Sequence, residues 1–513
     1  MRLARAWSIA LVGMEATLVE VEVSIGGGLP NTMIVGLGDT AVKEASQRCR
    51  SAVAAAGFAW PPSSVTVNLT PADMPKSGSH YDLPLVAATM AASGVVPRRA
   101  LEATLFLGEL GLDGRVRSVR GVLPAVLGAS RSGFERAVVP LGQIREAQLV
   151  EGIGVVGVES LGHLVAVLKG EPYDVDVVDP AAGSDEVAGS KDLADVVGQP
   201  EARWALEVAA AGGHHLSMVG PPGVGKTLLA ERLPGILPDL AVDEALEVSA
   251  IHSMLGASLE GGLIRRPPYA DPHHSASLPA LVGGGPHLAR PGAVSRAHRG
   301  VLFLDEASEF SPAALEALRT PLEKGVIVLA RSQGAATYPA RFQLVLASNP
   351  CPCGWYNVAG FASRCRCQPY AIKRYSSRLS GPIIDRIDIQ LRLQPLSKSH
   401  LRGNHPTEET SAVVAQRVLE ARSRQRHRLD RHGFSRNAEV PGSLLHRDLP
   451  NPTGVEDVDA AVRRGVLSSR GVDKVLRLAW TIADLMGHGV PDRGDVHTAL
   501  AMRQGETEEV NCA

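Results

Sequence analysis

Long apolar runs are missing from this sequence, and their absence excludes a transmembrane helix. Nowhere in the 513 residues is there an uninterrupted apolar stretch approaching the roughly 18 residues that a membrane span requires. Basic residues precede a short apolar run at the start of the chain. Acidic residues follow at once and no small-residue cleavage site is evident, so we expect no signal peptide. We therefore expect a cytoplasmic protein without a membrane partner.

A surplus of charge of one sign is missing as well. The chain has 52 Lys and Arg residues against 54 Asp and Glu residues, which gives a formal net charge of −2. Because this balance provides no global attraction to phosphates, any affinity for nucleic acid must come from a local surface. Cysteine is scarce too, and six cysteines in 513 residues exclude a disulfide-stapled fold.

The pattern that is present divides the chain into four parts. Residues 1–170 mix strand-like alternation with helix-like periodicity and predict an α/β domain. Residues 171–192 combine acidic residues with Pro, Gly and Ser, which predicts a linker. Residues 193–400 alternate short apolar runs with helical segments, a pattern typical of an α/β core with a parallel sheet. Residues 401–513 are mostly helix-like and rich in Arg.

A glycine-rich segment follows the apolar run Leu216–Val219 and matches the phosphate-loop pattern GxxxxGK[ST]. Glycines are needed there because a Cβ would obstruct the backbone that wraps the phosphates. Exposed N–H groups and the N-terminus of the following helix then attract the anion. We expect Lys226 to reach the β- and γ-phosphates of ATP, and Thr227 to ligate Mg²⁺. The predicted ATP-binding residues are Gly220, Pro221, Pro222, Gly223, Val224, Gly225, Lys226 and Thr227.

Two acidic residues end a later apolar run, Val301–Leu304. Asp305 is predicted to hold Mg²⁺ together with Thr227, and Glu306 is predicted to orient or deprotonate the attacking water. Taken alone, such a pair is also typical of a strand that ends in a solvated turn. The upstream phosphate loop favours the nucleotide role.

Asn349 and Arg386 are two further candidates for the hydrolytic machinery. Asn349 ends a strand-like run and could position the attacking water, although Asn before Pro350 is also a common turn former. Arg386, flanked by Asp385 and Asp388, could neutralise γ-phosphate charge across a subunit boundary. Its spacing equally allows a structural arginine paired with either aspartate.

Four of the cysteines form two C-x-C pairs. Four thiolates suit a tetrahedral Zn²⁺ and leave no open position, so the expected role is structural. The alternative is four free thiols on a loop. The candidate zinc ligands are Cys351, Cys353, Cys365 and Cys367.

Two other groups of residues invite a functional interpretation. The adjacent His273 and His274 predict a polar loop contact near a subunit interface or pore rather than a metal site. The arginine-rich segment 417–436 leaves two interpretations open. It is either a solvated helix face with acidic partners or a surface that contacts a phosphate backbone.

The succession of phosphate loop, Asp-Glu pair, strand-end Asn and flanked Arg resembles an AAA+ ATPase. The details resemble the magnesium-chelatase-like branch, and within it the YifB/ComM group, over essentially the whole chain. The segments that carry this resemblance are 199–213, 271–277, 283–285, 290–292, 297–306, 349–354, 385–388, 469–470 and 478–485.

This resemblance implies a homo-oligomeric ring, usually a hexamer, with ATP at the subunit interfaces. It implies that Asn349 is sensor 1, that Arg386 is an arginine finger acting in trans, and that Arg470 is the sensor 2 of a helical lid. Residues 325–342 would form a pore-facing hairpin. Arg331 near its turn is then a candidate DNA contact, with a solvated charge as the alternative.

The N-terminal region resembles the Lon-protease-like domain of the same group, an α/β fold of the ribosomal S5 domain 2-like type. A Lon-type protease needs a Ser nucleophile and a Lys base. The corresponding segments here read Ser79-His-Tyr-Asp82 and Gly121-Val-Leu-Pro124. We therefore expect a proteolytically inactive domain.

The function implied by the resemblance is that of an ATP-driven ring motor acting on single-stranded or branched DNA. Branch migration or helicase activity in recombination or natural transformation would be its task. Two alternatives remain open: a magnesium-chelatase-type motor subunit, and a chaperone or adaptor that uses ATP only to switch its assembly.

Overall fold

The computed structural model describes most of the chain. Within the described part, no helix is both long and apolar enough to cross a bilayer. The predicted linker at 171–192 lies mainly outside the described residues. The described ranges are 2–36, 38–74, 76–173, 191–285, 289–331, 334–379, 381–395 and 408–505.

The N-terminal region is built on a seven-stranded mixed sheet. Its strands, with a small separate pair at β6 and β7, are Arg2–Val12 (β1), Glu15–Ile25 (β2), Asn31–Val35 (β3), Ser64–Thr70 (β4), Thr104–Phe106 (β5), Glu109–Leu110 (β6), Val116–Arg117 (β7), Arg136–Pro140 (β8) and Gly154–Val158 (β9). The order is β3-β4-β2-β1-β5-β8-β9, with β2 antiparallel to both β1 and β4. Alternate valines of β2 are fully buried, because successive side chains of a strand face opposite sides.

Five helices accompany this sheet. The first begins where the Asp39 carboxylate accepts a hydrogen bond from the Val42 N–H at 3.0 Å, and it ends just before Gly57, whose φ is 79°. The mixed α/β class predicted for this region is confirmed. The helices are Thr40–Ala55 (α1), Asp82–Ser93 (α2), Val122–Arg131 (α3), Ile144–Ala147 (α4) and Leu161–Lys169 (α5).

The positions compared with the Lon dyad do not form a nucleophile and a base. The Ser79 hydroxyl donates to the Glu109 carboxylate. Val122, Leu123 and Pro124 are buried apolar residues at the start of α3, so that segment supplies no base. The inactive protease domain stays a prediction.

The second sheet has five parallel strands in the order β11-β14-β17-β10-β18. All residues of β14 and β17 are buried, which explains why these strands appear in the sequence as continuous apolar runs. The short pairs β12–β13 and β15–β16 form separate hairpins. The strands are Leu216–Val219 (β10), Tyr269–Ala270 (β11), Gly283–Gly284 (β12), Arg290–Pro291 (β13), Val301–Leu304 (β14), Val326–Arg331 (β15), Gly334–Pro339 (β16), Gln343–Ser348 (β17) and Ile389–Arg392 (β18).

Helices surround this sheet and continue into a helical C-terminal region. Those of the core are Pro200–Gly212 (α6), Lys226–Ile236 (α7), Val242–Leu255 (α8), Leu278–Val282 (α9), Ala293–Arg296 (α10), Pro312–Ala317 (α11), Arg319–Lys324 (α12), Pro369–Ser376 (α13) and Gly381–Ile384 (α14). Those of the C-terminal region are Ser411–Leu429 (α15), Gly442–Arg447 (α16), Val455–Arg463 (α17), Ser469–Met486 (α18) and Arg493–Gln504 (α19). Residues of α15 and α18 share one hydrophobic cluster with the core sheet, so the lid and the core are packed together.

Several arginine side chains of the segment 417–436 bind groups within the same chain. Arg417 binds both carboxylate oxygens of Glu207, at 2.6 and 2.8 Å. Half-buried Arg422 donates to the Ala210 carbonyl. Arg428 pairs with Asp484 at 2.6 Å. These side chains join the lid to itself and to the core, which favours the structural interpretation over a DNA-binding face.

The N-terminal domain touches the core at the β15–β16 hairpin. The turn between β1 and β2 lies against β16, where the Met14 N–H donates to the Thr337 carbonyl at 3.4 Å. A Cβ on Gly13 would lie 2.5 Å from that same carbonyl oxygen, so only glycine permits this approach. The N-terminal domain is thus held against the hairpin that the family resemblance assigns to the pore.

Candidate nucleotide site

The phosphate loop joins the carboxyl end of β10 to the first residue of α7. Gly223 and Gly225 adopt φ values of 74° and 92°, in the left-handed region that favours glycine. A Cβ on Gly220 would lie 2.9 Å from the Leu393 carbonyl oxygen. Helix α7 begins at Lys226, so its unpaired N–H groups and its positive dipole end face the loop. The local structure suits a bound polyphosphate.

Lys226 turns its amine back into this loop. Its Nζ donates to the carbonyls of Gly220 and Pro221 at 2.8 and 2.9 Å, and to Asn349 Oδ1 at 3.0 Å. Burial lowers the pKa of the amine, while Asp305 and Glu306 act in the opposite direction. The predicted phosphate-binding lysine and the predicted sensor therefore lie in direct contact.

Thr227 and Asp305 come together as a pair of oxygen ligands. Thr227 Oγ1 donates to Asp305 Oδ2 at 2.9 Å. Neighbouring ligands in an octahedral shell with Mg–O distances of about 2.0–2.1 Å are about 2.9 Å apart, so the two oxygens fit the expected Mg²⁺ site. A hydroxyl and a carboxylate are also the hard oxygen donors that this ion prefers.

Glu306 is held in an unusual position beside this pair. Its φ is 48°, a left-handed conformation that residues other than glycine rarely adopt. Its N–H donates to Asp305 Oδ1 at 2.8 Å, and its carboxylate lies 3.2 Å from His274 Nδ1. Backbone strain of this kind persists where the surroundings over-determine it, often at functional sites. The sequence did not predict this contact with His274, which follows β11 at the same edge of the sheet.

Arg386 lies near the amino ends of the parallel strands, opposite the carboxyl ends that carry the phosphate loop. It precedes β18, whose register with β10 pairs Leu216 with Ile389 and Val219 with Arg392. The phosphate loop leaves the carboxyl end of β10, whereas Arg386 enters at the amino end of β18. With a rise of about 3.3 Å per residue, these ends are separated by about 10 Å of sheet alone. Arg386 therefore lies beyond the strand ends opposite those that carry the phosphate loop of its own chain.

The partners of Arg386 differ from those that the sequence allowed. Its guanidinium donates to the Glu323 carboxylate and to the Pro382 carbonyl, and it pairs with neither Asp385 nor Asp388. Its Nε is buried and has no hydrogen-bond partner among the described residues. A buried guanidinium nitrogen without a partner is costly.

The two aspartates beside Arg386 form ion pairs with residues of the C-terminal lid. Arg470 Nη1 lies 3.3 Å from Asp385 Oδ2, and Lys474 Nζ lies 2.6 Å from Asp388 Oδ1. Burial raises the pKa of Asp388, but the charge of Lys474 and the histidines at 214 and 215 outweigh it and hold that pKa well below its usual range. The predicted sensor 2 thus lies near Arg386, at the edge of the sheet opposite the phosphate loop.

The remaining predicted residues lie outside these two clusters. Arg331 ends β15 and pairs in register with Gly334, so its backbone is at the hairpin turn; its side chain is outside the described part of the structure. The four cysteines of the C-x-C pairs gather with their sulfur atoms within 4.8 Å of one another. This cluster begins two residues after Asn349.

Comparison with known proteins places these features in one family. Models of the magnesium chelatase subunit match three successive parts of the chain: "Subunit ChlI of Mg-chelatase" at residues 21–143, "Magnesium chelatase, subunit ChlI" at 192–401, and its C-terminal model at 408–503. An uncharacterized protein of Mycobacterium tuberculosis is 51% identical over 98% of this chain and 99% of its own length.

Two better-named relatives extend over nearly the same length. Competence protein ComM of Haemophilus influenzae is 40% identical, over 95% of this chain and 94% of its own. The YifB protein of Escherichia coli is 40% identical, over 96% of both chains. At this identity and coverage the family is established. The chain belongs to the YifB/ComM family of magnesium-chelatase-like AAA+ proteins, a family of ATPase motors.

Proposed function

We propose that this protein is an ATP-hydrolysing ring motor that acts on DNA, with branch migration or helicase activity in recombination or natural transformation. One observation supports a ring assembly. The phosphate loop and Arg386 lie at opposite ends of the parallel strands of one sheet. A site that needs both is completed only when the Arg386 edge of one copy meets the phosphate-loop edge of another. Such head-to-tail contacts close into a ring when the rotation between neighbouring copies closes.

The residues of the phosphate-loop edge divide the work of hydrolysis. Lys226 and the loop N–H groups bind the β- and γ-phosphates, and Thr227 with Asp305 holds Mg²⁺, which neutralises phosphate charge when bound. Glu306 takes a proton from the attacking water, and Asn349 orients that water. Lys226 donates to two carbonyls and to Asn349, and phosphate oxygens would compete with these acceptors for its amine.

Arg386 acts on the γ-phosphate of the adjacent subunit. An arginine supplied in trans stabilises the charge of the transition state and contributes about 10³- to 10⁵-fold to turnover in other phosphoryl-transfer proteins. Its position before the amino end of β18, away from the carboxyl end of β10 that carries its own phosphate loop, supports this role. Arg470 lies on the same edge of the sheet, and we propose that it serves the same interface.

The assignment to DNA rests on the family and on the β15–β16 hairpin. The hairpin carries Arg331 at its turn, and its base is packed against the N-terminal domain. In a ring, six such turns would surround the pore and place arginines beside a phosphate backbone. With a net charge of −2 for the whole chain, DNA affinity has to be local in this way.

The deciding experiment combines ATP hydrolysis with strand movement. The full-length protein is assayed for phosphate release with and without forked DNA, and for strand exchange on a branched substrate. We expect DNA to stimulate hydrolysis and ATP to drive strand movement. Arg331→Ala should lose the DNA response while keeping basal hydrolysis, and Glu306→Gln should lose both.

Two outcomes would overturn the proposal. Hydrolysis that is indifferent to every DNA form would point to a magnesium-chelatase-type motor with a different partner. Nucleotide-dependent assembly and DNA-independent partner binding, without any strand movement, would point to an ATP-switched adaptor.

A further inference from the structure

The four clustered cysteines have the spacing of a metal site. Cys351 Sγ lies 3.4 Å from Cys353 Sγ and 3.9 Å from Cys365 Sγ, and the last two are 3.7 Å apart. A tetrahedral Zn²⁺ with Zn–S distances of about 2.3 Å requires sulfur atoms about 3.8 Å apart. A disulfide requires about 2.0 Å, and all described cysteines are free. The donor set therefore fits Zn²⁺ and does not form a disulfide.

The backbone of the loop supports the same arrangement. The Tyr356 N–H donates to Cys351 Sγ at 3.3 Å, the kind of hydrogen bond that stabilises a thiolate. The guanidinium of Arg364 stacks over the rings of Trp355 and Phe361, with centroid distances of 5.1 and 4.8 Å. These contacts close the segment between the two C-x-C pairs and bring the pairs together.

This loop touches the nucleotide site at two points. Cys351 is fully buried and follows Asn349 by two residues, so its position constrains the sensor side chain that meets Lys226. Gly354 lies against Pro222 of the phosphate loop, where an added Cβ would be 2.4 Å from the Pro222 Cδ. The φ of Gly354 is 82°, so the position requires glycine for conformation as well as for space.

We propose that Cys351, Cys353, Cys365 and Cys367 bind a structural Zn²⁺ that fixes Asn349 and the phosphate loop in the geometry needed to bind ATP. Four thiolate ligands leave no open position, so the metal takes no part in hydrolysis. Its effect comes through the polypeptide, by holding the loop against Pro222. The proposal rests on the proposed ATP site and adds a metal requirement to it.

The first test measures metal and nucleotide binding separately on the full-length protein. Elemental analysis should find about one zinc per chain. Cys365→Ser/Cys367→Ser should lose the zinc and weaken binding of a fluorescent ADP analogue by about tenfold or more. Cys49→Ala is the matched control, because Cys49 is a buried thiol of α1 in the N-terminal domain. It should keep both properties.

A second variant separates zinc binding from the contact between the cysteine loop and the phosphate loop. Gly354→Ala keeps all four ligands but places a methyl group against Pro222, so it should retain zinc and still bind nucleotide more weakly. If the double Cys variant fails to fold, zinc can be released from the wild-type protein with a thiol-reactive mercurial. The bound zinc and the nucleotide affinity should then fall together.

Three results would overturn the proposal. They are a wild-type protein without zinc after purification in zinc-containing buffer, a disulfide among the four cysteines, or full nucleotide affinity after zinc loss. Failure of the motor proposal would look different. A protein whose nucleotide binding depends on zinc, but which hydrolyses ATP without any response to DNA, would refute the DNA motor and leave the zinc proposal standing.

Discussion

Mixing two inactive variants provides a sharp test of where Arg386 acts. Lys226→Ala removes the phosphate-binding amine, which contacts the loop carbonyls and Asn349. Arg386→Ala removes the guanidinium at the opposite edge of the sheet. Because each variant retains the half that the other lacks, a ring containing both can restore complete sites. A single chain containing both lesions cannot.

The size of the recovery follows from counting interfaces. A complete site requires a phosphate loop from an Arg386→Ala subunit and a guanidinium from a Lys226→Ala neighbour. In rings assembled at random from equal amounts, about one quarter of the interfaces meet this condition. Each variant alone should lose about 10³-fold or more of its turnover, so recovery toward one quarter of the wild-type rate would be far above background.

The assay is phosphate release by the two variants, alone and after co-assembly at equal concentration. Size-exclusion chromatography with distinct tags establishes that mixed rings have formed. The control is a ring assembled only from the double variant, in which every chain carries both substitutions. A mixture no more active than its components, despite proven co-assembly, would refute action in trans, and so would a wild-type rate for Arg386→Ala.

Three further outcomes are expected. Glu306→Gln should bind nucleotide normally but lose about 10²-fold or more of phosphate release, and normal turnover would remove Glu306 from catalysis. His274→Ala should raise hydrolysis in the absence of DNA by about two- to tenfold, because it releases the Glu306 carboxylate from a contact worth about 0.5–1.5 kcal/mol. A lower rate instead would mean that His274 aligns Glu306 as the base. Lys474→Met should cost about 3–5 kcal/mol in urea unfolding because it leaves Asp388 buried without its cation, and Asp388→Asn should restore part of that loss in the double variant.

Several features could be predicted from the sequence because they depend on neighbouring residues. Buried parallel strands such as β14 and β17 are continuous apolar runs, and the structure has strands at these positions. The loop pattern from Gly220 to Thr227 specifies its own conformation through glycine and the helix that follows. Parallel pairing then brings Asp305 and Asn349 beside Lys226, because the carboxyl ends of the strands share one edge.

Other features depend on contacts between distant segments and could not be predicted in that way. The sequence offered Asp385 or Asp388 as partners of Arg386, yet the structure pairs it with Glu323. The contact of His274 with Glu306 requires the path of the loop after β11, which no local pattern specifies. The sequence left the role of segment 417–436 open for a related reason: the acceptors of Arg422 and Arg428 lie on α6 and α18, far away in sequence.

The ion pair between Arg386 and Glu323 suggests how ATP hydrolysis could change the position of the β15–β16 hairpin. Glu323 lies in α12, which ends at Lys324 and turns through Gly325, with φ of 67°, directly into β15. A neighbour's γ-phosphate and the Glu323 carboxylate are both anions, so they compete for one guanidinium. If Arg386 acts in trans as proposed, its capture by phosphate would separate it from Glu323 at the base of the hairpin, and loss of phosphate would restore the pair. Because β16 also holds the turn at Gly13, each exchange would act on the hairpin between two fixed attachments. On the proposed role of Arg386, the ion pair would have two mutually exclusive states set by the nucleotide, which is the physical requirement for coupling.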